Sequence, residues 1–246
     1  MKVANWNLER GGRSAHRWER QAVAIAGFGA DLVVLTEPPP QVLNLERDAV
    51  FAPPLRQGSN GPETWVAILA PGVTAVNIDV PFERMAVAAS TRIDGIDVVV
   101  YGSVLPWNAA PTQAPVHALA GESSEMMFTR MLAEQEADVR ALQSAFPAAL
   151  VIWAGDFNQS FTGPNFGGSK RKRSLLVSVL ERLEMSAWNA NAPHAKEGMC
   201  AIDLICGPAD LEVTVERVST VHDHVVLSDH AGYVANVQLP AELITR

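Results

Sequence analysis

The sequence predicts an α/β protein, a sandwich of two mixed β-sheets with a helix layer outside each sheet. Short apolar runs alternate with longer amphipathic segments along the chain, which makes strand–helix–strand units. Asp94-Gly95 lies directly between two apolar runs, a hairpin signal that mixes antiparallel pairs into the sheets. A length of 246 residues, 48% of them hydrophobic, suits one large layered domain spanning residues 1–246.

The chain opens on a strand, Lys2-Val3-Ala4-Asn5-Trp6-Asn7-Leu8-Glu9. Residues 19–28 then have the periodicity of an amphipathic helix that ends near Gly27 or Gly29. The apolar strand Leu32-Val33-Val34-Leu35 leads to Thr36-Glu37, and Pro38-Pro39-Pro40 forbids continuation of the ladder, so Glu37 stands at a strand end with its carboxylate free. Residues 65–69, 73–78 and 85–92 are short strands between Gly and Pro turns, and 85–92 forms the hairpin with 96–105. Residues 106–124 are long enough to be a functional loop. A helix over 125–146 precedes the strand 148–154, another helix covers 169–183, and strands return at 201–206, 211–218 and 231–239.

Five of these strands run into polar residues. Gly155-Asp156-Phe157-Asn158 closes the 148–154 run, and strand side chains alternate with period two, so Asp156 and Asn158 are expected on one side. The others are Asn5-Trp6-Asn7-Leu8-Glu9, Leu35-Thr36-Glu37, Ala201-Ile202-Asp203-Leu204-Ile205 and Ser228-Asp229-His230. Strand ends that offer only oxygen, amide and imidazole groups suggest a hard-metal phosphate site.

This ordered set resembles the endonuclease/exonuclease/phosphatase superfamily, the DNase I-like metal-dependent phosphoesterases that include apurinic endonucleases and sphingomyelinases. The resemblance runs from Asn7 to His230 and implies a four-layer α/β/β/α sandwich. It implies Mg²⁺ or Mn²⁺ as cofactor, with Glu37 as first metal ligand and Glu9 and Asp229 as further carboxylates. Asp156 matches the residue that orients or deprotonates the attacking water, with Asn7 and Asn158 holding that carboxylate and the phosphate. Asp203 matches the partner of the terminal histidine, His230, which would stabilise phosphoryl charge. One departure stands out: where several members carry a phosphate-facing His or Tyr, this chain has Val104. Tyr101 and Ser103 should face the other way, so Asn108, or His117 brought in by the loop, becomes the candidate replacement.

Substrate is less sharply marked. Lys170-Arg171-Lys172-Arg173 opens the helix after the Asp156 loop and reads either as a solvated basic face or as recognition of a phosphorylated or nucleic-acid substrate. Trp107 would stack a base or sugar, or simply pack the loop. The net charge of −8 argues against tight non-specific duplex binding. A nuclease is the leading expectation, a small-molecule or lipid phosphoesterase the alternative, and a non-catalytic binding module the third. His222-Asp223-His224 reads as a turn in preference to a zinc pair. Cys200 and Cys206 would lie about 20 Å apart on a regular strand, so free thiols are expected. No apolar run reaches the roughly 18 residues that span a bilayer, and no signal peptide opens the chain, so a cytoplasmic protein with no membrane span is expected.

Overall fold

A computed structural model describes residues 1–11, 15–41, 45, 47–58, 61–76, 85–163 and 168–239. In chain order the elements are β1 (Lys2–Asn7), α1 (Ala15–Gly27), β2 (Leu32–Thr36), β3 (Ala49–Phe51), β4 (Arg56–Gly58), β5 (Gly61–Glu63), β6 (Val66–Leu69), β7 (Thr74–Ala75), β8 (Ala86–Ile93) and β9 (Ile96–Val104). They continue as α2 (Ala110–Gln113), α3 (Ser124–Ala145), β10 (Leu150–Asp156), α4 (Lys170–Arg182), β11 (Met185–Ala187), β12 (Asp203–Pro208), β13 (Val213–Val218), β14 (Val221–His222), β15 (Val225–Val226) and β16 (Gly232–Val237). One six-stranded sheet has the order β13-β16-β1-β2-β6-β3, and the second β11-β12-β10-β9-β8-β7. Both are mixed: β1 runs parallel to β2 and antiparallel to β16, while β10 runs parallel to β9 and antiparallel to β12.

The alternation of β1 shows how the layers form. Ala4, Trp6 and Leu8 pack with Ile25 and Phe28 around α1, Trp6 meeting Phe28 edge-on at 5.8 Å. Val3 enters the core shared with the second sheet, and Asn5, on the same side, donates Nδ2 to the carbonyls of Gly155 and Leu204 at 2.9 and 3.0 Å. Asn5 therefore stitches the two sheets together just below the strand ends. On the far side, Tyr101 donates its hydroxyl to Asp138 of α3 at 2.7 Å, and Trp153 donates to Ser103 Oγ at 2.7 Å. Tyr101 and Ser103 thus face the outer helices, as the alternation requires.

Several elements are shorter or later than their sequence pattern. The expected strand 73–78 is paired only over Thr74–Ala75, and residues 77 and 78 lie outside the described residues. The loop 106–124 is ordered by α2 and a 3₁₀ turn at Pro115–His117. Strand β12 begins at Asp203, so Cys200 precedes it, and both cysteines are free. Asp223 and His224 both adopt left-handed φ, 49° and 62°, as the two-residue turn of the β14–β15 hairpin, where Asp223 Oδ2 lies 3.1 Å from His222 Nδ1. Among the described residues, no helix is long and apolar enough to cross a membrane.

Candidate functional site

The polar residues meet where strand ends of both sheets converge. Strands β1, β2 and β10 finish at one edge of the sandwich, and β12 and β16 start from it. Asn7 is the last residue of β1, Glu37 follows β2, Asp156 ends β10, Asp203 opens β12, and His230 stands two residues before β16. Asp156 lies between Val104 and Asp203 in the ladder, and register partners share a face. Gly155 makes this ending possible. Its φ is +149° and a Cβ there would fall 1.8 Å from the Ser103 carbonyl oxygen, so only glycine allows the two backbones to approach so closely.

Asp156 is buried and its two oxygens are held separately. Asn7 Nδ2 donates to Oδ2 at 2.9 Å from the first sheet, and the Asn158 N–H donates to Oδ1 at 2.9 Å from the loop beyond the strand. Burial pushes its pKa up to about 7, the negative charge of Asp203 adds to the rise, and the positive charge of His230 and the Asn158 N–H pull it back. Asn158 differs from expectation. The strand stops at Asp156, Asn158 takes a left-handed φ of 50°, and its Nδ2 donates to the Leu105 carbonyl at 3.0 Å. It serves the carboxylate through its backbone, and its side chain closes the loop.

Asp203 Oδ2 and His230 Nδ1 are 2.7 Å apart, with Asp203 fully buried. Burial alone would lower the imidazole's pKa, but the charge and hydrogen bond of Asp203, with help from Asp156 and Asp229, carry it up to about 10. His230 is therefore an imidazolium at neutral pH, with Nε2–H 3.7 Å from Asp229 Oδ1 and Nδ1–H given to Asp203. Nothing in its own motif marks His194 in the sequence, yet its buried ring meets the His230 ring edge-on at 5.7 Å. His194, Asp203 and His230 lie close enough to suggest a metal trio, their potential ligand atoms within 4.8 Å of one another. Hydrogen bonding argues against His194: its Nδ1 accepts the Lys196 N–H at 3.0 Å, which puts its proton on Nε2, the remaining ligand position of the ring.

The other expected metal ligands are within electrostatic reach of Glu37. Burial raises its pKa, Arg10 and His230 pull it down, and Asp229 and Glu9 push it up again. Asp229 is an exposed rim residue, 72% accessible, and Glu9 is turned toward Arg17. An oxygen-only set in which several carboxylates repel one another fits a hard divalent cation. Arg10, like His194, is a residue at this site that sequence reading missed. It follows Glu9 in a left-handed turn that no local pattern announces, and its Nη1 lies 2.8 Å from Glu37 Oε2.

The expected substrate residues are dispersed. The ammonium of Lys172 is buried with Leu176, Val179 and Leu180 on the inner face of α4, where it donates to Asn108 Oδ1 at 3.2 Å and Ser124 Oγ at 3.1 Å and sits over the Phe128 ring. Reading four consecutive cations as one basic surface overlooks the helix period, which sends the third of them inward. Arg171 pairs with Glu125 at 2.8 Å, Arg173 donates to the Gly163 carbonyl at 3.0 Å, and Lys170 is exposed. Asn108 is exposed but spends its oxygen on Lys172, and His117 is buried with Nε2 accepting the Trp65 indole N–H at 2.8 Å. His117 therefore does not replace a donor at Val104, which is itself buried beside Asp156, whereas Asn108 keeps its Nδ2 amide donor. Trp107 is half-buried against Trp65 at 5.8 Å and donates to Gln113 Oε1 at 2.6 Å.

A model of the Endonuclease/Exonuclease/phosphatase family matches residues 4–230. No curated protein matches the sequence. Among solved structures, a 3′-5′ exonuclease from Neisseria meningitidis (NExo) is similar with a TM-score of 0.67 and 16% identity, over 97% of this chain and 100% of that one. The endonuclease domain of TRAS1, a telomere-specific non-LTR retrotransposon, is similar with a TM-score of 0.63 and 14% identity, over 97% and 98% of the two chains. Truncated Caenorhabditis elegans TDP2 is similar with a TM-score of 0.58 and 15% identity, over 96% of each.

Proposed function

From the premise that the chain belongs to the Endonuclease/Exonuclease/phosphatase family, we propose that it is a metal-dependent phosphodiester hydrolase, in the first place a nuclease, working as a single catalytic domain. The observation that carries this reading is the buried Asp156 carboxylate, anchored at both oxygens and set beside the Asp203–His230 pair. A base that titrates near 7 is matched to taking a proton from water at neutral pH. Asp156 takes that proton as the water oxygen forms its bond to phosphorus and the bond to the leaving oxygen breaks. Asn7 and the Asn158 N–H keep the carboxylate from rotating away from the water. The Nε2–H edge of His230 neutralises charge on the phosphoryl oxygens, and Asp203 keeps that ring charged and oriented. Glu37, with Asp229 and Glu9 near it, would hold Mg²⁺ or Mn²⁺, which when bound supplies further neutralisation of phosphoryl charge.

The nuclease reading draws support from similarity to a 3′-5′ exonuclease and a retrotransposon endonuclease, and from Trp107 and Lys170 at the surface. A second reading, a small phosphoester or lipid-headgroup substrate, is favoured by the net charge of −8 and by the break-up of the basic run, which leaves no continuous cationic track along α4. Labelled single- and double-stranded oligonucleotides and a panel of small phosphoesters, incubated with Mg²⁺ or Mn²⁺, separate the two. Hydrolysis above an Asp156→Ala control on one panel is expected. None on either would overturn the hydrolase reading.

A further inference from the structure

Glu37 already holds a cation. Arg10 Nη1 lies 2.8 Å from Glu37 Oε2, with the two side chains 31% and 20% exposed. The backbone sets this pair up: the Arg10 N–H donates to the Glu37 carbonyl at 2.7 Å, and the Glu37 N–H donates to the Trp65 carbonyl at 2.9 Å. Both residues stand in the left-handed region, at φ 52° and 47°. The guanidinium carbon sits 4.7 Å from the centroid of the Trp65 ring, which its indole hydrogen bond to His117 fixes in place. On the other side, Glu63 Oε2 lies 3.7 Å from Arg10 Nε. That is an ion-pair distance but too long for a hydrogen bond, and Nε is buried with no acceptor. One guanidinium thus stands between two carboxylates, bonded to one and within a short swing of the other.

We propose that Arg10 is a built-in counter-ion that pairs with Glu37 in the metal-free protein and moves to Glu63 when a divalent cation takes Glu37. The inference rests on the reading of Glu37 as a metal ligand. A guanidinium and a divalent ion on one carboxylate repel each other strongly in a partly buried site. Moving to Glu63 relieves that repulsion while the guanidinium keeps a counter-charge, gains an acceptor for Nε and stays on the Trp65 face. Flat stacking and a planar fork of donors make arginine suited to this pivot. Divalent-ion binding is then an exchange, weakened by the fraction of molecules in which Arg10 occupies Glu37.

The test is calorimetric titration with MgCl₂ and MnCl₂ on the whole chain, with thermal melts in chelator to establish that each variant is folded. Removing the competitor in Arg10→Gln is expected to tighten binding about tenfold, the factor for a pair formed in nine molecules out of ten. Arg10→Lys keeps the charge and is expected to stay within about threefold of wild type, and Glu63→Gln, which removes the resting place, to weaken binding about threefold. Unchanged or weaker binding in Arg10→Gln, or tighter binding in Glu63→Gln, overturns the exchange. Glu37→Gln separates the two layers of the argument. If it binds the ions as wild type does, the metal-ligand reading of Glu37 fails. If it abolishes binding while Arg10→Gln leaves affinity unchanged, only the exchange fails.

Discussion

Replacing Asp156 with asparagine should make the protein nearly inactive and remove a stability cost that depends on pH. Asparagine has the shape and charge of the protonated carboxyl but sets an NH2 against one of the two donors that hold Asp156, a cost that does not vary with pH, so the change of the gap with pH reports what the ionised group costs the fold. In the folded chain the carboxyl titrates at about 7, against 3.8 for the unperturbed group. Below about pH 4 the folded and unfolded chains both hold the proton, and the gap between wild type and variant is only the cost of the donor left facing the amide. Between 4 and 7 the unfolded chain releases its proton first, so wild-type stability falls as pH rises. Above 7 both states are ionised and the penalty is constant, about 4 kcal/mol at about 1.4 kcal/mol per pH unit of displacement. For a chain of this size that moves the melting temperature of the variant, relative to wild type, upward by roughly 8 °C or more between pH 4 and pH 8. The assay is thermal unfolding of both proteins in chelator at half-unit steps from pH 4.5 to 8.5. A gap that stays constant across the series would refute the buried, poised base. Turnover of the same variant should fall by about 10² to 10⁴, the usual worth of an acid–base group.

Other consequences follow from the same geometry. Asp203→Asn keeps the side chain's shape but removes the charge that orients His230, and kcat should drop by about 10² or more in steady-state assays with the fold intact by circular dichroism. Gly155→Ala places a methyl group on the Ser103 carbonyl and strains φ, so the variant should lose about 3 kcal/mol or more, read as a lower denaturation midpoint or an insoluble product. Lys172→Ala leaves Asn108 and Ser124 without their buried donor and should cost about 1–3 kcal/mol of stability. In contrast to a substrate-contacting lysine, it should leave the salt dependence of KM unchanged. An altered salt slope with unchanged stability would return Lys172 to the substrate surface.

Sequence alone determined the sheet-forming segments, the helices at α3 and α4, and the strand-end positions of Asn7, Glu37, Asp156, Asp203 and His230. Each of these is a local signal: a period of 2 or 3.6, or a Pro run that stops a ladder. Local signals say where a strand ends and which face a residue takes within it. The side chain of Asn158 faces away from the site because β10 ends at Asp156, and beyond a strand's end the alternation no longer applies. Lys172 failed because four like charges in a row conceal which of them the helix turns inward. What only the tertiary structure decided is the company each side chain keeps. Asn7 and Asp156 are 149 residues apart in sequence and hydrogen-bonded across two sheets, His194 meets His230, and Arg10 meets Glu37 between the rings and carboxylates of other strands. Desolvation and neighbouring charge set the titration of Asp156, His230 and Glu37, and both depend on distances between chain segments that no local periodicity encodes.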